Sequence, residues 1–126
     1  MNGPFIFIAT NRLKPGKLDD ERRRVPGLVE FVQAKEPRLL AFNEYVDDEG
    51  SEVAVVQVHT DAESMAIHLE AVAERAARAY AETLEATTGI QVFGTPSNPV
   101  IEMLRRQAGS GVPLNVKPHH LGGFVR

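Results

Sequence analysis

The stretch SEVAVVQVHTDAESMAIHLEAVAERAARAYAETLE, residues 51–85, decides the predicted fold, because it joins a buried strand directly to the longest helix. Residues 53–59 are apolar on both alternating faces, which indicates a strand that is covered on both sides. Thr60 and Glu63 have the spacing of a capping box and predict the start of the helix. Apolar side chains then recur at helical spacing and predict one buried stripe, formed by Met65, Leu69, Val72, Ala76, Ala79 or Tyr80, and Leu84.

The residues before this stretch predict a strand, a helix and a second strand. Phe5 to Asn11 is a short apolar run bounded by glycine and proline, which indicates a strand. Lys17 to Ala34 has helical periodicity, and Pro26-Gly27 predicts a kink or a helix in two pieces. Arg38 to Val46 predicts a strand that forms a hairpin with residues 53–59, and Gly50 suits a turn position with positive φ.

The residues after it complete a ferredoxin-like α+β order and add an extension. Ile90 to Phe93 predicts a fourth strand, which gives the sequence βαββαβ. Residues 1–97 are therefore expected to form the domain. Residues 98–126 are expected to add a helix from Asn98 to about Gln107 and short extended segments at 112–116 and 121–125. This extension is expected to pack on the same domain or on a partner subunit.

Composition excludes several classes of function. The chain has 126 residues, enough for one domain with a real core, and its net charge of −3 predicts no nucleic-acid partner. The absence of cysteine excludes disulfides and thiolate metal sites and is compatible with a cytoplasmic location. The N-terminus lacks a basic segment followed by a long apolar run, so neither a signal peptide nor a membrane span is expected.

Apolar residues on both faces of the strand at 53–59 also predict a homodimer. Two helices can cover only one face of a small sheet, so the other face needs a second cover. A partner subunit would bury it, and the C-terminal extension is the alternative.

Three motifs resemble the antibiotic-biosynthesis-monooxygenase-like family. They are VVQVHTDAESMAIHLEAV at 55–72, LKPGK at 13–17 and, for a subgroup of bacterial proteins, VKPHHLGGF at 116–124. The resemblance implies a dimeric α/β barrel in which two sheets pack face to face across a two-fold axis. It also implies a pocket between the sheet and the helices of each subunit. Enzymes of this family oxidise electron-rich aromatic or polyketide molecules with O₂, without a metal or a flavin.

The resemblance implies two polar residues for catalysis. His68 lies at the border of the buried stripe, matches the family's helix histidine, and would titrate near neutral pH as a proton acceptor. Asn11 shares a strand face with apolar residues and could hold an anionic substrate oxygen. For both residues a purely structural hydrogen bond is the alternative.

Five further residues are candidates for the pocket wall, namely Asn43, Tyr45, His59, Met65 and Tyr80. No cofactor is expected. His119 and His120 are adjacent on an extended segment, where their side chains point apart, so no metal site is expected either.

Three functions remain open. The first is cofactor-independent oxygenation of a small aromatic or quinol-type molecule. The second is a non-catalytic dimer that binds a small molecule or is structural. The third is haem handling, suggested by Asn11-Arg12-Leu13, which resembles a haem-degrading branch; that branch also uses a tryptophan, and this chain has none.

Overall fold

A computed structural model describes residues 3–126, which form a mixed sheet with helices against it. The strands are β1 (Phe5–Leu13), β2 (Leu39–Val46), β3 (Glu52–His59), β4 (Leu84–Phe93) and β5 (Leu114–Lys117). The helices are α1 (Leu18–Lys35), α2 (Ala62–Ala71), α3 (Ala73–Glu82) and α4 (Asn98–Ala108). This α+β arrangement confirms the predicted ferredoxin-like fold with an added C-terminal helix and short strand.

The sheet order is β2-β3-β1-β4-β5. The first four strands pair antiparallel, whereas β5 pairs parallel with β4 and opposes Leu114 to Ile90. A parallel partner needs a crossover connection, and α4 provides it. The extension therefore adds an edge strand to the sheet and is joined to it by backbone hydrogen bonds.

The helices pack against a single face of the sheet and bury separate apolar clusters there. On β1 this face carries Phe5, Phe7 and Ala9, which are at most 3% exposed. They form a cluster with Met65 of α2 and with Val100, Leu104 and Ala108 of α4. Leu28 and Val32 of α1 pack with Val72 in a second cluster at the β2 side. Burial of these apolar side chains is the main force that holds the helices to the sheet.

No helix within residues 3–126 covers the opposite face of the sheet. Its side chains come from the alternate positions of each strand, and many are apolar and half-buried: Ile6, Ile8, Ala41, Ala54, Val56, Val58 and Phe93. Tyr45 extends this face at the β2 edge and is 63% exposed. The tail after β5 leaves Leu121 and Phe124 exposed at 100% and 79%. One chain thus presents an apolar sheet face and exposed apolar tail residues together.

The helix predicted after Thr60 differs from the structure in three respects. Its N-cap is Asp61, whose carboxylate accepts from the Ser64 amide, while the Thr60 hydroxyl donates to the carbonyl of Arg38. Val72, with φ −99° and ψ 4°, separates α2 from α3. Leu84 is the first residue of β4 and does not belong to the helix, because residues 84–89 pair with the second half of β1. This pairing outweighs the local helical pattern, which covers only one turn.

Two predictions about proline and glycine have different outcomes. Pro26 lies inside a single continuous helix, α1, so of the two predicted alternatives the division into two pieces is wrong, and the kink stays a prediction. Gly50 has φ 70°, as predicted for the hairpin turn, and a Cβ atom there would lie 2.9 Å from Leu18 Cδ2. In the extension, Ser97 and not Asn98 is the N-cap of α4, and residues 121–125 form no strand.

Candidate functional site

A cavity of about 310 Å³ lies between the helix-covered face of the sheet and the helices. Ala9 and Val55 are paired on neighbouring strands, and both line it. Apolar side chains make up most of the remaining wall: Phe7, Leu28, Phe42, Leu69, Val72, Ala73, Ala76, Ala79, Leu84 and Met103. A mostly apolar cavity with a few polar groups is the usual form of a small-molecule site.

His68 is the central polar residue of this cavity. Its Nδ1 atom lies 3.0 Å from both carboxylate oxygens of Glu36, and its side chain is 4% exposed. Burial lowers the pKa of His68 below its usual value, against the opposing hydrogen bond and charge of Glu36. His68 is therefore neutral at pH 7, with Nδ1–H donating to Glu36 and a lone pair on Nε2.

The Nε2 atom of His68 makes no hydrogen bond with residues 3–126. Every fully enclosed side-chain nitrogen or oxygen among these residues has a partner, so this atom is not fully enclosed. The free atom therefore opens into the cavity that His68 lines. Glu36 follows the last turn of α1 and precedes Pro37, so the helix end fixes the carboxylate. In many active sites a buried carboxylate accepts a hydrogen bond from one nitrogen of a histidine and so orients the other nitrogen as a base.

His59 lies behind His68 and has a structural environment. Its Nδ1 atom is 2.7 Å from the Ser64 hydroxyl, and its Nε2 atom is 2.8 Å from Oε1 of Gln57. Burial, aided by the nearby His68, lowers the pKa of His59 to about 4. Because Gln57 Oε1 only accepts, His59 Nε2–H donates to it, which leaves the amide NH₂ of Gln57 for the cavity that this residue lines.

Asn11 reaches the cavity from the middle of the sheet. Its Oδ1 atom accepts from the Thr87 hydroxyl at 2.7 Å and from the Tyr80 hydroxyl at 3.0 Å. Gln107 of α4 donates to the Tyr80 hydroxyl at 3.1 Å. Two donors on Oδ1 fix the orientation of the amide and leave its NH₂ group unpaired among the described residues. Asn11 therefore offers a hydrogen-bond donor to a bound oxygen.

Arg24 and Glu44 form another polar part of the wall, and Arg24 also binds Glu21, which does not line the cavity. Arg24 donates to Glu21 at 2.8 and 2.6 Å and lies 3.8 Å from Glu44. Burial alone would raise the pKa of Glu21, but hydrogen bonds from Arg24, Glu44 and Thr83 bring it to about 2. Burial and the hydrogen bond and charge of Glu21 raise the pKa of Glu44 to about 9. Glu44 therefore carries a proton at pH 7.

The structure brings together only some of the residues predicted for the site. His68, Asn11 and Tyr80 all line the cavity. Asn43 and Tyr45 do not, because alternation along β2 directs Phe42 and Glu44 to the helices and these two residues to the uncovered sheet face. Met65 is fully buried in the core, and His59 is likewise buried behind the wall, so neither lines the cavity.

Five polar wall residues were not predicted from the sequence: Arg24, Glu44, Gln57, Arg75 and Gln107. Gln57 and Glu44 were detectable in principle, because each is a polar residue on an otherwise apolar strand face. Gln107 and Arg24 come from helix faces whose direction depends on tertiary packing.

A second, wider cleft of about 570 Å³ lies between the start of β1, residues 60–62 and the tail. His119 and His120 line it and are both exposed. Within residues 3–126, no group of three or more histidine, aspartate or glutamate side chains is placed to hold a metal ion. None of the helices in that part of the chain is long and apolar enough to span a membrane.

Solved structures with the same fold define the class to which this architecture corresponds. No protein-family model and no curated protein sequence matches the chain. A structure named as an antibiotic biosynthesis monooxygenase matches with a TM-score of 0.61 at 21% identity, over 74% of this chain and 99% of its own. The chain thus has the fold of the antibiotic-biosynthesis-monooxygenase-like proteins.

Two individual structures extend this comparison. MupZ from Pseudomonas fluorescens has a TM-score of 0.72 at 16% identity and covers 98% of this chain and 96% of its own, which takes in the C-terminal extension. PA3566 from Pseudomonas aeruginosa has a TM-score of 0.61 at 21% identity and covers 73% of this chain and 93% of its own. At these identities the likeness establishes the fold and not the reaction.

Proposed function

We propose that the chain is a cofactor-independent monooxygenase that acts on a small aromatic or quinol-type molecule in the cavity of His68. The observation that carries this proposal is the free Nε2 atom of a neutral, buried histidine that opens into an apolar cavity. A neutral imidazole held by a carboxylate is a competent general base. The fold shared with structures named as antibiotic biosynthesis monooxygenases supports the same assignment.

The proposed reaction begins with removal of an acidic proton from the substrate by His68. The resulting carbanion or phenolate is electron-rich, and the unpaired NH₂ group of Asn11 stabilises its oxygen. The anion then transfers electrons to O₂. For a methylene substrate the balance is R₂CH₂ + O₂ → R₂C=O + H₂O, so the substrate supplies all the electrons. The apolar wall excludes water, which would otherwise quench the anion.

The test of this function is oxygen uptake with anthrone and with substituted hydroquinones. Wild type should consume O₂, and His68→Ala should lower the rate by about 10²–10⁴-fold, the usual contribution of a general base. Ile67→Ala is a matched helix control, because Ile67 is exposed on the same helix, and its rate should stay unchanged. Uptake that is absent, or is equal in wild type and His68→Ala, would contradict the proposal.

The second candidate is a protein that binds the same kind of molecule without reacting with it. The apolar lining of the cavity favours this alternative. It predicts that anthrone quenches or shifts the tyrosine fluorescence of Tyr80 while oxygen uptake stays at the background rate. A haemin titration in parallel separates haem handling, which would give a shifted Soret band that is lost in His68→Ala.

We also propose that the chain forms a homodimer through the uncovered sheet face. The alternate side chains of β1 and β3 make this face apolar and half-buried in one chain. A soluble protein rarely leaves such a continuous patch open to water. The exposed tail residues Leu121 and Phe124 are then available to pack on the partner.

A further inference from the structure

Glu44 lies in the wall of the cavity but has no role in the steps proposed for His68 and Asn11. Its side chain is 5% exposed, and it lines the same cavity as His68. Phe42, two residues earlier on the same face of β2, has its ring 5.7 Å from that of His68. Two strand residues span about 6.6 Å, so Glu44 lies next to Phe42 along β2, and both border the cavity that His68 lines.

The charges around Glu44 do not balance if both carboxyl groups ionise. Glu21 and Glu44 are both buried, and Arg24 is the cation that contacts them. Glu21 takes both short hydrogen bonds from Arg24 and another from the Thr83 hydroxyl at 2.8 Å. Two buried carboxyl groups that share one arginine do not both ionise readily. Glu44, whose contact with Arg24 is the longer one at 3.8 Å, therefore keeps its proton.

The cavity itself gives an independent indication that a ligand belongs beside Glu44. The NH₂ group of Asn11 and the Nε2 atom of His68 are unpaired among the described residues, although both side chains are more than nine-tenths buried. Asn11 lies on β1 and Glu44 on β2, with β3 between them. A proton acceptor, a hydrogen-bond donor and a protonated acid therefore surround the same apolar floor.

We propose that Glu44 is the proton donor of the cavity and acts on the oxygen atom that leaves during the oxygenation. This inference rests on the proposed function of His68. After O₂ has added to the substrate carbon, the peroxide anion takes back the first proton from His68, which gives a hydroperoxide, R₂CH–OOH, and leaves His68 neutral again. His68 Nε2 takes the remaining C–H proton, and the electron pair of that bond forms the C=O bond. The O–O bond breaks, and the proton of Glu44 passes to the departing oxygen, which leaves as water.

The reaction balances without another reactant, because R₂CHOOH gives R₂C=O and H₂O. His68 has gained a proton and Glu44 has lost one, so proton exchange with water restores the resting state. The raised pKa of Glu44 suits this role, because a weak acid still protonates a hydroxide-like leaving group.

Product analysis with anthrone tests the role of Glu44 in the reaction. Glu44→Gln keeps the size and the hydrogen-bonding capacity of the side chain but cannot transfer a proton. We expect it to consume anthrone more slowly, by about 10-fold or more, and to release a larger share of the consumed O₂ as peroxide. Glu70→Gln, on the exposed side of α2, should match wild type in both measurements. An unchanged peroxide share in Glu44→Gln would overturn the proposal.

Infrared spectroscopy tests Glu44 without any turnover, so it remains informative if anthrone is not a substrate. Wild type in D₂O at pH 7 should show a protonated-carboxyl C=O band that Glu44→Gln lacks and Glu70→Gln retains. Addition of 1,4-naphthoquinone, which accepts hydrogen bonds and has no acidic C–H, should shift this band. A missing band, or a band that 1,4-naphthoquinone leaves unmoved, would overturn the role of Glu44 whatever the outcome for His68.

Discussion

His68 and Glu36 are 32 residues apart in the chain, and their side chains meet at 3.0 Å in the interior of the domain. The contact joins the end of α1 to the middle of α2. It also sets the tautomer of the imidazole, because a carboxylate can only accept a hydrogen bond. The group that fixes the histidine thus lies outside the stretch of sequence that predicts the fold.

Glu36→Gln is expected to lower the pKa of His68 further. In the folded protein both the hydrogen bond and the charge of Glu36 raise this pKa against the effect of burial. The amide retains a hydrogen-bond partner but removes the charge, so the histidine should protonate only at lower pH. Titration of the His68 ring by NMR in wild type and variant measures the shift. A pKa that rises in Glu36→Gln would contradict the assigned contact.

The stability of the protein is expected to fall between pH 7 and 8.5 and to fall less in Glu44→Gln. The pKa of Glu44 is raised from 4.5 to about 9 in the folded state, so the folded state binds the proton more tightly. The corresponding stability is fully present below pH 4.5 and is lost as the pH rises through 9. One proton gives a slope of at most about 1.4 kcal/mol per pH unit.

Urea denaturation at several pH values measures this slope. Glu70→Gln is the matched control, because it removes an exposed carboxyl group from α2. Equal slopes for wild type and Glu44→Gln over this pH range would show that the buried carboxyl group does not hold a proton.

Tyr80→Phe is expected to lower the free energy of unfolding by about 1–2 kcal/mol. The hydroxyl group of Tyr80 donates to Asn11 and accepts from Gln107, so its removal leaves polar groups without a partner. Tyr45→Phe is the control: Tyr45 is 63% exposed, and its loss should change stability by less than about 0.5 kcal/mol. Chemical denaturation of both variants measures the two changes in the free energy of unfolding. Equal changes would contradict the hydrogen-bond network of Tyr80.

Val56→Glu is expected to convert the proposed dimer into a folded monomer. Val56 lies on the uncovered sheet face, paired with Ile8 of β1 and Asn43 of β2. A charge placed there would be buried without a partner in a dimer but solvated in a monomer. Light scattering coupled to size exclusion measures the mass, and circular dichroism confirms folding. Ile67→Glu, on the outer face of α2, should leave the mass unchanged.

The sequence predicts the order of elements better than it predicts their ends. Alternation in residues 53–59 and the periodicity around Met65 reflect burial directly, so strand and helix could both be read from them. The start of β4 at Leu84 could not, because residues 84–89 become strand through pairing with β1. Nor could the continuity of α1 through Pro26, which accompanies the packing of Leu28 and Val32 against the domain.

The residues of the candidate site were also predicted only in part. His68 and Asn11 were predicted as catalytic and lie in one cavity, whereas Asn43 and Tyr45 face away from it. The error for the last two has a simple cause: strand alternation gives two faces and does not say which one meets the helices. The Glu21–Glu44 pair could not be predicted from the sequence, because the two residues are 23 positions apart and only the packing of α1 on β2 brings them together.

The crossover through α4 places Met103 and Gln107 in the wall of the cavity while β5 closes the β4 edge of the sheet. The residues that do the proposed chemistry lie before position 98, but part of the surface that a ligand would touch lies after it. Ligand preference could therefore diverge between related proteins through changes in this appended segment alone. The chain keeps the reactive groups and part of its selectivity in separate stretches of sequence.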